Sequence, residues 1–147
     1  MGSSFISLHY HIVFSTRRRE RLIHLDWISS LHEYLGGTVR GLGGVPTAIG
    51  GVEAHVHLLV SLKSTSALSD FVRELKKASS VWAATRHCRE FAWQEGYAAF
   101  TVSASLQGKV RQYIETQDEH HRKLEFMDEL KKLLDKHGVQ YEPKYLE

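Results

Sequence analysis

Apolar and polar residues alternate from Phe5 to Ser15, with Leu8, Tyr10, Ile12 and Phe14 on one face and His9, His11 and Val13 on the other. Successive side chains on a strand point to opposite faces, so this period of two predicts a first strand. The period then lengthens. Ile28, Leu31, Leu35, Val39 and Leu42 recur at helical spacing, with Leu25-Asp26-Trp27 opening a helix and Asp26 placed to cap it. Gly36-Gly37 interrupts that helix at a cost in propensity, and Gly41 to Pro46 ends it. Thr47 to Val52 predicts a second strand, Gly50 to Ala54 turns the chain, and the third strand runs within Glu53 to Leu62. Leu68, Phe71, Val72, Leu75, Ala78 and Trp82 give an inward face to a helix over Leu68 to Arg86. Trp93 to Ser103 reads as a fourth strand region with Gly96 at a bend. Two helices complete the chain, one around Tyr113 and one over Met127 to Lys136, stopped by Gly138. Gln140 to Glu147, with Pro143, reads as an extended arm.

The order β-α-β-β-α-β predicts an α+β, ferredoxin-like fold. Its antiparallel sheet carries helices on one face, and C-terminal helices carrying Tyr113 follow. The first and third strands form the middle of such a sheet, which would set His11 beside His55 or His57 as a residue behind a site. A satisfied structural histidine is the plainer reading of His11.

The third strand holds the most telling chemistry. In His55-Val56-His57 the two imidazoles share a face with Leu59 and Ser61, roughly 7 Å apart by strand rise. Val56, Leu58, Val60 and Leu62 make the other face apolar without a break. Such a pair suits two neutral nitrogens converging on one metal ion, and equally suits two ordinary hydrogen-bonded histidines. A second motif lies on the helix around Tyr113. Tyr113 and Gln117, at i and i+4, are neighbours on one helical face and offer a hydroxyl and an amide oxygen.

At 147 residues the chain is long enough for one core and is expected to be a single domain, residues 1–147. A hydrophobic share of 42% and a charged share of 24% are those of an ordinary globular protein. No long apolar span or signal peptide is visible, and the lone Cys88 reads as a small buried hydrophobe in a reducing compartment. A cytoplasmic protein away from membranes is the expectation. A formal charge of +2 and a pI near 8.7 permit nucleic-acid binding without announcing it. The basic residues cluster, however: Arg17, Arg18 and Arg19 follow the first strand, and Arg73, Lys76 and Lys77 share a helix. Each cluster is a candidate phosphate contact or a solvated face.

On His55-Val56-His57 and Tyr113 to Gln117, the chain resembles the single-tyrosine HUH transposases of small insertion sequences (TnpA-like), and the related REP-associated tyrosine transposases. Tyr10-His11-Ile12-Val13-Phe14-Ser15-Thr16-Arg17 and the Trp93 to Ser103 stretch extend the likeness to nearly the whole chain. Ala54 departs from it, since relatives carry a small polar or acidic residue there. The resemblance implies that His55, His57 and Gln117 hold a metal and that Tyr113 is the nucleophile. It implies transesterification on single-stranded DNA through a 5′-phosphotyrosine, at hairpin-forming element ends, in a bacterial or archaeal nucleoid. It further implies a homodimer whose sites take Tyr113 from one subunit and the histidines from the other. Two imidazoles and an amide oxygen suit Mg²⁺ or Mn²⁺, with Zn²⁺ a lesser fit. His120 and His121 follow Tyr113 and are expected to pack or touch DNA, since His121 lies roughly 6 Å beyond Gln117 along the axis. The competing reading is a non-catalytic single-stranded nucleic-acid-binding module of the same fold. Such modules stack bases on strand aromatics, where this chain carries histidines.

Overall fold

The computed structural model describes residues 3–117 and 125–142. Strand β1 (His9–Ser15) leads through a short 3-10 turn, Arg17–Arg19, to helix α1 (Ile28–Gly41). Strands β2 (Val45–Val52) and β3 (His55–Ser61) follow, then α2 (Leu68–Arg86), β4 (Ala98–Thr101), α3 (Gln107–Glu115) and α4 (Phe126–Lys136). The strands form one antiparallel sheet in the order β2-β3-β1-β4, so β1 and β3 are the middle strands, as the element order predicts.

Both faces of the sheet are covered, which is why β1 and β3 are buried along most of their length. Ile12, Phe14, Val56, Leu58 and Val60 pack against Leu31, Leu35 and Val39 of α1 and Phe71, Val72 and Leu75 of α2. On the opposite face Ile114 of α3 packs on Ala48 and Leu59, and Leu134 of α4 packs on Val13 and Phe100. The C-terminal helices thus roof the face that carries the histidines.

Local differences from the sequence pattern have physical causes. Helix α2 spans Leu68–Arg86 as its periodicity predicts. Helix α1 starts at Ile28 with Trp27 in the capping position and no side-chain cap, so Asp26 does not cap it. Trp27 is buried and stacks on His87 at 4.8 Å, and burial of the indole fixes where the helix begins. The helix also runs through Gly36-Gly37 without a break. Phe5 and Ile6 alternate correctly yet stay exposed, and β1 begins only at His9, where partners exist on both sides. Strand β2 begins at Val45 and carries Pro46 on the sheet edge, where the register shifts before Ala48. The fourth strand region shortens to Ala98–Thr101, because Gly96 turns the chain at φ +80° and Trp93 makes only an isolated bridge to Thr16. Gly138, at φ +68°, ends α4. His120, His121 and the arm from residue 143 lie outside the described residues. None of the helices among the described residues is long and apolar enough to cross a membrane.

Candidate metal and tyrosine site

Strand β3 buries both imidazoles, His55 at 1% exposure and His57 at 0%. The register sets Gly50 of β2 opposite His57, and Val13 of β1 on its other side. Gly50 clears the space that α3 needs. A Cβ there would collide with the carbonyl oxygen of Ile114, so only a glycine lets the helix backbone settle on the sheet beside His57. That settling carries Tyr113 and Gln117 to the histidine face. The Tyr113 and His57 rings are 5.8 Å apart, and Gln117 is buried with its Oε1 3.3 Å from His55 Nε2. Gln117 lies just past the end of α3 and donates to the Tyr113 carbonyl at 3.4 Å. The tyrosine stands beside the histidines of its own chain.

The structure adds a residue that sequence reasoning missed. Glu129 of α4 is 1% exposed and reaches into the same cluster. Its Oε1 lies 3.0 Å from His57 Nε2 and 3.6 Å from His55 Nε2, and its Oε2 accepts a hydrogen bond from the Tyr113 hydroxyl. The signal was present in the sequence: Phe126, Leu130, Leu133 and Leu134 make the buried stripe of α4, and Glu129 falls inside it. A carboxylate on an apolar stripe is rarely left without a partner.

His11 joins from β1. Its Nε2 is 2.8 Å from His57 Nδ1 and the two rings are 5.0 Å apart, so His11 lies beside His57. Burial, then the neighbouring His57, holds the His11 pKa well below that of an ordinary histidine, which keeps the ring neutral. Burial, then the Glu129 carboxylate, pushes the Tyr113 phenol well above its usual value. Phe126 stacks on His55 at 4.3 Å and closes that side of the cluster.

One ligand atom each from His55, His57 and Glu129 falls within 4.8 Å of the others, all three side chains buried. Two imidazole nitrogens and a carboxylate are a donor set that fits a divalent cation, and a buried carboxylate calls for a compensating positive charge. Gln117 Oε1 lies close enough to His55 to add a fourth donor.

The basic clusters are placed differently from one another. Arg18 and Arg19 take up left-handed backbone, φ 56° at each, and line a cavity of about 560 Å³ with Ser15, Gln94, Tyr97 and Phe126. Arg17 opens the same short turn. Arg73, Lys76 and Lys77 stand on α2, on the opposite face of the sheet from the histidines. Arg73 pairs there with Asp70 at 3.0 Å and Glu74 at 3.5 Å. Lys76 donates to the carbonyls of Gln94 and Gly96, each at 2.7 Å, and burial draws its pKa down, so its work is to brace that loop. Cys88 is half-buried, packed against the main core.

The chain is similar to known proteins in sequence and in fold. The family model described as "Transposase IS200 like" matches residues 4–117. The chain is 27% identical over 117 residues to the ISDra2 transposase TnpA of Deinococcus radiodurans, covering 75% of this chain and 84% of that one. A solved structure assigned as a transposase from Deinococcus radiodurans R1 superimposes with a TM-score of 0.62 at 25% identity, covering 80% of this chain and 96% of its own. A REP-associated tyrosine transposase solved with a REP hairpin shares the fold, with a TM-score of 0.55 at 16% identity over 78% of this chain and 70% of its own.

Proposed function

This chain belongs to the IS200-like transposases, and we propose that it cuts and rejoins single-stranded DNA by transesterification through Tyr113. The observation that carries this reading is the continuous contact from the Tyr113 hydroxyl through Glu129 to His57. The buried cluster on the sheet also weighs against a passive binding module, which would present aromatic rings to bases at these strand positions.

In the proposed reaction the Tyr113 oxygen attacks a backbone phosphorus. The new phosphorus–phenolic oxygen bond forms as the bond to the 3′-oxygen breaks. The phenol proton passes to Glu129 Oε2, its hydrogen-bond acceptor, and the departing 3′-oxygen takes a proton from water. The product is a 5′-phosphotyrosine and a free 3′-hydroxyl. A phenol leaves more readily than an alcohol, with a pKa of about 10 against about 15.7 for water, so a strand-end hydroxyl can reverse the ester without added energy.

His55, His57 and Glu129, with Gln117 beside them, are the residues that would hold a divalent cation. When bound, the cation supplies positive charge against that developing on the phosphate oxygens. Mixed nitrogen and oxygen donors favour Mn²⁺ over Mg²⁺. His57 can present the Nε2 lone pair only with its proton on Nδ1, and in that tautomer Nδ1 donates to the neutral His11 Nε2. His11 is thereby a positioning residue.

The proposed substrate is a hairpin-forming element end, and the proposed assembly a homodimer. The connector between β4 and α3 is short, Val102 to Leu106, and α3 would make the same contacts on the Gly50 surface of a partner. Mixing a Tyr113→Phe variant with a His55→Ala/His57→Ala variant distinguishes the arrangements. Activity returns if α3 is exchanged and stays absent if each tyrosine serves its own histidines. Mn²⁺-dependent cleavage of end-labelled single-stranded DNA from the chain's own genomic flanks tests the function. Absence of cleavage there would count against it.

A further inference from the structure

A cleft opens between α3 and α4 beside the tyrosine. It has a volume of about 350 Å³, and Tyr113 and Glu129 are in its lining. Tyr113 is in the wall of this cleft and not in that of the larger cavity beside Arg18, so the α3–α4 cleft opens onto the phenol. Its rim is cationic. Lys109 comes from α3, Lys132 and Lys136 come from α4, and all three side chains are exposed. Val102, Val110 and Leu133 add apolar lining, and Leu106 adds an exposed apolar side chain. Lys132 and Lys136 are four residues apart on one helix, so both face the cleft from the same side, with Lys109 opposite.

We propose that this cleft binds the DNA strand next to the phosphate attacked by Tyr113, its phosphates on Lys109, Lys132 and Lys136 and one base on the apolar lining. The site rests on the single-stranded DNA reading above and adds the residues that hold the strand. None of the three lysines lies in the arginine turn or on α2. The chemistry is that expected of single-strand binding, with cations following the backbone and an apolar surface for an unstacked base. The cleft volume falls within the range of roughly 300–1,000 Å³ usual for small-ligand sites, enough for a nucleotide unit rather than a duplex.

The test is the salt dependence of binding of a fluorescein-labelled oligodeoxythymidylate, followed by anisotropy in EDTA so that no cleavage intervenes. Each phosphate contact to a single strand contributes about 0.7 to the slope of log affinity against log salt. The Lys109→Gln/Lys132→Gln/Lys136→Gln variant should therefore lose about 2 from that slope. Lys131→Gln, on the same helix but outside the cleft lining, should keep the wild-type slope. Each single cleft variant should show about a third of the change, which guards against a triple variant that is merely less stable. A triple variant with the slope and affinity of Lys131→Gln overturns the cleft while leaving the DNA reading intact. A wild-type protein that binds no single strand overturns both.

Discussion

Tyr113 and Glu129, sixteen residues apart and on different helices, are joined by a hydrogen bond in which the phenol donates to one carboxylate oxygen while the other lies 3.0 Å from His57 Nε2. The carboxylate therefore touches both the nucleophile and the nitrogen-rich pocket. It links the two motifs that the sequence shows separately, and its change should disturb metal holding and nucleophile activation together.

Glu129→Gln keeps size and most hydrogen-bonding geometry while removing the charge. Single-strand cleavage should fall by about 10²–10³-fold, the usual scale for losing a positioned acid–base or electrostatic group. Mn²⁺ binding, measured by calorimetry, should weaken in parallel. Wild-type metal affinity in this variant would remove Glu129 from the ligand set.

His55→Ala and His57→Ala each remove one nitrogen from the cluster and leave the apolar face of Val56, Leu58 and Val60 whole. Both variants should fold, as circular dichroism will report, and both should lose cleavage together with Mn²⁺ affinity. Retention of full metal-dependent cleavage by either would mark that histidine as structural.

Gly50→Ala should harm the protein out of proportion to one methyl group, because the new Cβ meets the Ile114 carbonyl oxygen. Overpacking of this kind costs roughly 1–3 kcal/mol, read as a lowered Tm. Cleavage should fall further than stability, since α3 must lift and take Tyr113 with it. Gly37→Ala is the control. A Cβ at Gly37 meets nothing within 4 Å, and helix propensity favours alanine there by about 1 kcal/mol.

Much of this arrangement can be read in the sequence because it is local. The period of two in β3 gives the shared face of His55 and His57, the i, i+4 spacing gives Tyr113 with Gln117, and the element order gives β1 beside β3 and hence His11 near one of the two histidines, which proves to be His57. What cannot be read there depends on distant partners. Glu129 stands out in the sequence only as an acid on an apolar stripe, and its partners appear once α4 is laid against β1 and β4. Lys76 resembles a phosphate contact until the loop at Gln94 to Gly96 is seen to occupy it. Asp26 has the right chemistry for a cap, but the burial of Trp27 sets the start of α1 instead.

His32 of α1 predicts acid sensitivity away from the site. Its Nε2 is buried without a hydrogen-bond partner, and burial pushes its pKa from 6.5 down to about 4. A histidine with a folded pKa below its unfolded value takes up its proton more readily when unfolded. Stability is therefore full above pH 6.5 and falls as pH drops toward 4, across the window between the two values. The Tm of the wild type should decline across that window more steeply than that of His32→Leu. Parallel declines would contradict the assignment.

The central claim is that the Tyr113 oxygen becomes joined to DNA. The direct measurement is mass spectrometry of tryptic peptides after incubation with single-stranded flanking DNA and Mn²⁺, alongside denaturing gels of the same reaction. The account predicts an SDS-resistant adduct, a nucleotide mass on the peptide carrying Tyr113, and loss of both in EDTA and in Tyr113→Phe. Cleavage with no adduct, or an adduct that persists in Tyr113→Phe, would contradict it.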